Sequence, residues 1–286
     1  MRKLKFLRIF SSYIALTLIA LAIGYASFVL FIGSPKIGVV KIMGVVLDGS
    51  TADKIGTLLK YAKDDKNIKA VVLEIDCPGG GASATEEIYL SLLELRKEKP
   101  VVVSINGGAL SGAYYVAVAS NFIFAKPTSL VGNVGVWMRL PEIDIPEEDL
   151  IASGPAKPTG GVRAKATSWT QIVAEGFLQS VMAQRGDNLK LSKEELSRGE
   201  IYIGNEALKH GLIDKIGSSS EAVKKAASLA GLKNYEEIDI NEHLNLLRPY
   251  SLFRFSPKEL SLPRGDSGSA KSRYPQFYYL DIRATE

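Results

Sequence analysis

The sequence predicts an α/β domain with a mainly parallel sheet, and two observations support that prediction. Short, nearly continuous apolar runs recur along the chain, as is typical of parallel strands buried on both faces. A segment with apolar residues at helical spacing follows almost every run, so that strands and helices alternate. The predicted strands are residues 37–46, 70–76, 100–105 and 122–125, and the predicted helices are residues 51–62, 84–96, 111–120, 171–185 and 222–229.

Each element has a local signal of its own. Residues 37–46 alternate β-branched and small side chains, which indicates a strand. The first helix has apolar residues three and four positions apart, and Ser50 or Thr51 is the expected N-cap. Residues 141–167 carry several prolines and glycines and predict an irregular crossing, whereas residues 198–217 are rich in turns.

Composition excludes several classes of protein. The chain has 286 residues, of which 46% are hydrophobic and 23% charged, and this is ample for one sizeable globular domain. The formal net charge of +4 is modest and the two signs are interleaved, which argues against a nucleic-acid partner. Cys77 is the single cysteine, so no disulfide can form within the chain and the fold depends on its apolar core.

The N-terminus predicts a membrane anchor. Four of the first eight residues are Lys or Arg, and residues 9–33 contain no charged side chain. A helix of about 20 apolar residues spans the hydrocarbon core, and basic flanks stay on the cytoplasmic side. We therefore expect one transmembrane helix within residues 1–35, with the folded domain on the extracytoplasmic side of the cell membrane. A cleavable signal peptide is the alternative, although its apolar region is usually only about 7–15 residues long.

The rest of the chain divides into an expected folded domain, residues 36–255, and a C-terminal tail, residues 256–286. The tail is rich in Pro, Ser and Gly. Within it, the segment Tyr274–Leu280 is apolar and predicts a strand. That strand either packs simply against the domain, serves as an edge strand on a neighbouring copy, or lies in a substrate groove.

Two glycine-rich segments follow consecutive predicted strands, at the strand ends where parallel α/β sheets bind ligands. The first is Gly79–Gly81, after the strand that ends at Asp76, and the second runs from Gly107 to Gly112. Ser111 lies in the second segment at the start of a predicted helix, where its hydroxyl can face a cleft. The amide of Gly112 and one from the first segment make a candidate oxyanion hole. The alternative is that both segments are ordinary tight turns that need positive φ.

A nucleophilic serine needs a general base, and this chain offers few. His210 lies at the predicted end of a helix and His243 in a polar stretch, so we expect both at the surface. The remaining base is a lysine, which burial would keep neutral near pH 7. Spacing permits Lys157 and Lys165, both in the irregular crossing, and composition does not choose between them.

Five ordered motifs make these segments resemble a known family. The motifs are Asp76–Gly81, Ala109–Tyr115, Ile123–Gly135, Ser153–Lys157 and Gly199–Asp214. With them, the chain from about residue 37 to residue 217 resembles the signal peptide peptidase family of Ser/Lys proteases, the A type. The fold of that family is similar to the ClpP/crotonase superfamily, which implies repeated β-β-α and βαβ units with a mainly parallel sheet, here preceded by one transmembrane helix.

The resemblance also implies roles for individual residues. It puts the nucleophile at Ser111, and it puts the base at Lys157 because the family's lysine follows a Ser/Thr-Gly-x-x pattern. Lys165 becomes the second choice. The implied oxyanion-hole residues are Gly79, Gly80 and Gly112.

Three departures from the family pattern bear on the site. Val131-Gly132-Asn133 stands where many members have Thr-Gly-Ser, whose serine hydrogen-bonds the base lysine. Asn133 is therefore expected to orient the lysine through its side-chain carbonyl. Pro158 and the residues after it replace the usual run towards Ser-Pro. Cys77 stands where Ser or Thr is common, and we expect it to be a small buried residue without a chemical role.

The resemblance implies a membrane-anchored serine endopeptidase that works through an acyl-enzyme and needs neither a cofactor nor a metal. The implied substrates are signal peptides left in the membrane after cleavage, or other apolar peptides. The implied assembly is a homo-oligomer that encloses the sites. Two alternatives are an acyl-CoA enzyme of the crotonase type and a catalytically silent, membrane-tethered scaffold that binds peptides.

Overall fold

The computed structural model describes residues 10–24, 34–139, 151–154, 156–157, 163–247 and 276–280, the last of these as backbone only. Residues 10–24 form helix α1, and its side chains are exposed. Across these ranges, no helix is both long and apolar enough to cross a membrane. Residues 1–9 and 25–33 of the predicted anchor lie outside the described residues.

The remaining elements alternate along the chain. The strands are β1 (Lys36–Met43), β2 (Ile68–Cys77), β3 (Gly79–Gly81), β4 (Val101–Leu110), β5 (Phe122–Ala125), β6 (Leu130–Gly132), β7 (Trp137–Arg139), β8 (Ile201–Ile203), β9 (Lys215–Ile216), β10 (Glu236–Asp239) and β11 (Gln276–Leu280). The helices are α2 (Gly49–Asp64), α3 (Ala82–Glu98), α4 (Gly112–Ala117), α5 (Arg163–Arg185), α6 (Lys193–Leu196), α7 (Gly204–Lys209), α8 (Ser219–Leu229) and α9 (Ile240–His243).

The main sheet confirms the predicted α/β class. Its strand order is β10-β1-β2-β4-β5-β9, and every neighbouring pair along this path is parallel. Strand β6 extends the sheet by pairing in parallel with the end of β4, and β8 pairs antiparallel with β6. Strand β6 thus lies beside the last residues of β4, immediately before Ser111, and β8 lies on the far side of β6.

The apolar core fills both faces of this sheet. Successive strand residues point to opposite faces, so Val71 and Leu73 pack with α2, α3, α4 and α5, whereas Ala70 and Val72 pack against α8. A parallel sheet covered on both faces explains the continuous apolar runs in the sequence. The carboxyl ends of the strands are left as the place where polar chemistry can be built.

A second sheet of three strands, in the order β3-β11-β7, lies next to the carboxyl ends of β2 and β4. Strand β11 is antiparallel to both of its neighbours, and it also contacts α3 and α4. The predicted strand within Tyr274–Leu280 therefore forms. It is the central strand of this sheet within its own chain, not an edge strand.

Two local predictions were wrong. The N-cap of α2 is Asp48, not Ser50 or Thr51, because the Asp48 carboxylate accepts a hydrogen bond from the Thr51 amide at 2.7 Å. Helix α5 begins at Arg163, so the end of the predicted irregular crossing is helical. Most of that crossing lies outside the described residues.

Candidate active site

Ser111 lies between the end of β4 and the first residue of α4, in a conformation that non-glycine residues rarely adopt. Its φ is 51° and its ψ is −118°, and the residue is 2% exposed. The Ser111 amide donates to the carbonyl of Gly132 at 2.8 Å, and its own carbonyl accepts from the Tyr115 amide at 3.0 Å. Such conformations persist where the surroundings fix them, and they are frequent at active sites.

Helix α4 is anchored deep in the core, which fixes the position of Ser111. Tyr114 is fully buried and its hydroxyl donates to the Leu212 carbonyl at 2.8 Å. The ring of Tyr115 stacks on Phe177 of α5 at 4.6 Å between centroids. From the sequence, this region was predicted only as an apolar helix. Its contacts with Leu212 and Phe177 were not predicted, because those residues lie far along the chain.

The backbone groups of the glycine segment β3 point alternately to its two edges, one beside Leu47 and the other beside β11. The Leu47 amide donates to the Gly79 carbonyl at 2.9 Å, and the Gly81 amide donates to the Leu47 carbonyl at 2.7 Å. A side chain at Gly80 would lie 2.1 Å from the Leu47 carbonyl oxygen, so only glycine fits this close approach. Because backbone groups alternate in direction along a strand, the amide and carbonyl of Gly80 face the opposite edge, where β11 lies.

Cys77 has a polar role that the sequence prediction missed. Its thiol is 2% exposed, donates to the Val45 carbonyl at 3.1 Å and accepts from the Gly79 amide at 3.4 Å. Burial raises the pKa of this thiol to about 12, so it remains protonated at neutral pH. The Gly79 amide is thereby turned towards the sulfur. Gly79 and Gly80 were both predicted for the oxyanion hole. The Gly79 amide bonds the Cys77 sulfur, whereas the Gly80 amide faces β11.

The two glycine-rich segments are held side by side. Cys77 pairs with Ala109 where β2 and β4 end, after a shift of register beyond Ile75. The Asp76 carboxylate accepts from the Gly108 amide at 2.9 Å. Gly112 is the first residue of α4, and the first amides of a helix have no partner within it. Amides of Gly80, facing β11, and of Gly112, at the start of α4, therefore lie at neighbouring strand ends.

The candidate lysines are both exposed. The Lys157 amide donates to the Gly154 carbonyl at 3.1 Å. Lys165 lies in α5 with its ammonium group 4.8 Å from the centre of the Trp169 ring. Among the hydrogen bonds between described residues, none joins either ammonium group to Ser111. Within the described residues, the nucleophile and the glycine amides thus come together without a lysine hydrogen-bonded to the serine.

Asn133, the expected partner of the lysine, uses both of its N–H donors in other contacts, and a role for its side-chain carbonyl stays a prediction. It has a φ of 56°, its amide donates to the Glu200 carbonyl at 2.8 Å, and its side-chain Nδ2 donates to the Gly199 carbonyl at 2.9 Å. His243 is exposed, as expected, with its ring against Tyr61, whereas His210 is half-buried against Tyr202.

Comparison with known proteins identifies the family. Residues 94–144 and 153–233 match the model of Peptidase family S49. The chain belongs to peptidase family S49. It is 32% identical over 214 residues to Protease 4 of Haemophilus influenzae, across 68% of this chain and 35% of that protein. It is 29% identical over 204 residues to a putative signal peptide peptidase SppA of Enterococcus faecium, across 66% of this chain and 58% of that protein.

A solved structure resembles the S49 chain more distantly. It is a 1510-N membrane-bound stomatin-specific protease in complex with a substrate peptide, with a TM-score of 0.48 and 21% identity across 68% of this chain and 81% of that one. This S49 chain spans about a third of the length of Protease 4. Its residues Ser111, Gly112, Asn133 and Lys157 lie within the family match, whereas the glycine segment β3 precedes it.

Proposed function

We propose that this S49 chain is a serine endopeptidase in which Ser111 attacks the peptide and Lys157 is the general base. The observation that supports it best is the pairing of an extended strand, β11, with the β3 edge beside α4. A protease of this kind must hold its substrate extended, and a free strand edge does so through backbone hydrogen bonds that are independent of side-chain identity.

We infer the fit of a peptide from the register of β11. Tyr279 lies opposite Gly80, whose amide and carbonyl face this strand. In an antiparallel ladder, such a pair exchanges both backbone hydrogen bonds. A substrate in the same place would present one carbonyl to the Gly80 amide, with the Gly112 amide at the neighbouring helix start. Two amides directed at one carbonyl oxygen form an oxyanion hole, and removal of one donor usually costs about 10²–10³ in rate.

The proposed reaction is acyl transfer. The Ser111 hydroxyl adds to the carbonyl carbon while Lys157 takes its proton, and the proton passes to the departing amine as the peptide bond breaks. Water then hydrolyses the acyl-enzyme with the lysine again as base. A lysine acts as a base only when it is neutral, which requires burial. The proposal therefore requires the segment that carries Lys157 to approach Ser111 when a peptide is bound.

The wider setting is also proposed. Residues 1–35 would anchor the chain in the cell membrane, residues 36–255 would form the catalytic domain on the extracytoplasmic side, and residues 256–286 would be the tail. The basic flank before an uncharged stretch supports this orientation. Substrates would be signal peptides or other apolar peptides, as the name of the Enterococcus faecium relative suggests, and the chain would form a homo-oligomer.

The test compares the full-length chain in detergent micelles with its Ser111→Ala, Lys157→Ala and Lys165→Ala variants. Cleavage of a fluorogenic apolar peptide and labelling by a fluorophosphonate are measured for each. We expect the parent and Lys165→Ala to be active, and both other variants to fold but lose cleavage.

Other outcomes assign other roles. Activity that survives in Lys157→Ala but not in Lys165→Ala would move the base to Lys165. If the folded parent neither cleaves peptide nor reacts with the probe, the silent scaffold is the better assignment. The exposed position of Lys157 is the observation that favours this alternative.

A further inference from the structure

Three residues with positive φ are joined by hydrogen bonds or sequence next to the nucleophile. They are Ser111 (51°), Gly132 (109°) and Asn133 (56°). The Ser111 amide donates to the Gly132 carbonyl, so this carbonyl, together with helix α4 on the other side, holds the nucleophile in its rare conformation. The position of β6, which ends at Gly132, therefore contributes to the position of the serine.

Strand β6 is held from two sides. It pairs in parallel with the end of β4, where Leu110 lies opposite Gly132, and antiparallel with β8, where Ile201 lies opposite Gly132. A side chain at Gly132 would lie 2.9 Å from the Glu200 carbonyl oxygen, so these backbones are in close contact. With only three residues in β6, the strand itself contributes few hydrogen bonds.

Asn133 follows β6 and bonds to the two residues that precede β8. Its amide donates to the Glu200 carbonyl at 2.8 Å and its Nδ2 group donates to the Gly199 carbonyl at 2.9 Å. Asparagine is among the few non-glycine residues that tolerate a left-handed backbone conformation. A serine side chain is shorter and less suited to this conformation, which gives a physical reason for asparagine here.

We propose that Asn133 is a positioning residue for the Ser111 nucleophile, acting through β6 and the Gly132 carbonyl, and not a partner of the general base. This inference rests on the proposed function, since it assigns a role in that same reaction. The side-chain donor bonds the Gly199 carbonyl, and no hydrogen bond between described residues joins Asn133 to a lysine. Loss of that bond frees the end of β6, and displacements of about 1 Å at a reacting atom cost up to 10²-fold in rate.

The test uses glycine at position 133, because glycine keeps the backbone conformation and the bond to the Glu200 carbonyl while it removes the side-chain donor. The matched control is Asn245→Gly. Asn245 also has a positive φ, 55°, but it is exposed beyond α9, far along the chain from the site. Both variants are made in the full-length chain, and fluorophosphonate labelling, kcat, KM and the pH profile of kcat/KM are measured.

We expect Asn133→Gly to lower both the labelling rate and kcat about tenfold, with KM and the pH midpoint unchanged, while Asn245→Gly matches the parent. Asn133→Asp keeps the size but loses the donor, and it should lose activity to a similar extent without a shift in pH midpoint. If Asn133 instead faced the base lysine, the new carboxylate would stabilise the ammonium form and move the midpoint to higher pH.

An alkaline shift in Asn133→Asp, or full activity in Asn133→Gly, would overturn the inference while the protease assignment stood. A parent that neither labels nor cleaves would overturn the proposed function itself, and this positioning role with it.

Discussion

At the scale of single residues, Gly80 tolerates no side chain. A Cβ there would lie 2.1 Å from the Leu47 carbonyl oxygen, whereas at Gly81 it would lie 3.7 Å from that atom, an ordinary contact. We expect Gly80→Ala to displace β3, destabilise the fold by about 1–3 kcal/mol and lower peptide cleavage about 10²-fold as an oxyanion donor moves. Thermal unfolding and kcat/KM measure the two effects.

Gly81→Ala is the matched control for the fold. The residue has a φ of −65°, which alanine adopts easily, and its amide still donates to Leu47. The melting temperature of the Gly81→Ala variant should stay within a few degrees of that of the parent. Equal stability of the Gly80 and Gly81 variants would show that Leu47 yields to the added methyl group, and the close approach would then have no energetic consequence.

The residues predicted from sequence are those whose signal is local. Ser111 and the glycine segments lie at strand ends as predicted, because each follows an apolar strand within a few positions. The hydrogen bonds of Cys77 and Asn133 were not predicted, because their partners, Val45 and Gly199, lie 32 and 66 residues away. No local pattern indicates which carbonyl a side chain will meet after folding.

At the scale of elements, α5 is fastened to the main sheet by a buried ion pair. Arg185 is 6% exposed, and its guanidinium contacts the Asp214 carboxylate at 2.7 Å and the Gly211 carbonyl at 2.8 Å. The same carboxylate accepts from the Ile123 amide of β5 at 2.7 Å. We expect Arg185→Met to lower the free energy of unfolding by about 3 kcal/mol, because it leaves the Asp214 carboxylate, only 14% exposed, without its cation. Urea unfolding measures this.

The exposed pair between Lys193 and Glu175, at 2.7 Å, is the control for this ion pair. Lys193→Met should cost less than about 1 kcal/mol, since water screens exposed charges. The double variant Arg185→Met with Asp214→Asn should recover part of the lost free energy of unfolding, because the unpaired carboxylate charge is removed. A loss in Arg185→Met no larger than in Lys193→Met would mean that α5 is held by its apolar contacts alone.

Element types followed from the sequence more reliably than their limits. The predicted strand over residues 122–125 matches β5, because its apolar run ends sharply. Strand β4 was predicted to end at Ile105, yet it continues to Leu110. The continuation through glycines depends on pairing with β2 and β6, and that pairing is a tertiary effect.

At the scale of the whole molecule, two sheets meet at the candidate site. The parallel sheet, with helices on both faces, was predictable from alternating apolar runs and helical spacing. The small antiparallel sheet was not, because it joins β3, β7 and β11 from three distant parts of the chain. The tail strand was expected, but its place between β3 and β7 was not. That place depends on backbone edges of β3 and β7 that only the folded chain brings together.

If substrates bind along β3 as proposed, the C-terminal strand β11 competes with them for that edge. A chain that lacks residues 276–286 should therefore cleave and label faster than the full-length chain. If β11 occupies the slot nine-tenths of the time, its removal raises kcat/KM about tenfold. Tyr279→Pro should act similarly, because proline has no amide proton to donate to Gly80, whereas Tyr279→Ala keeps that proton and is the control for the side chain. Equal kcat/KM in the full-length and shortened chains would mean that substrates bind elsewhere than along β3.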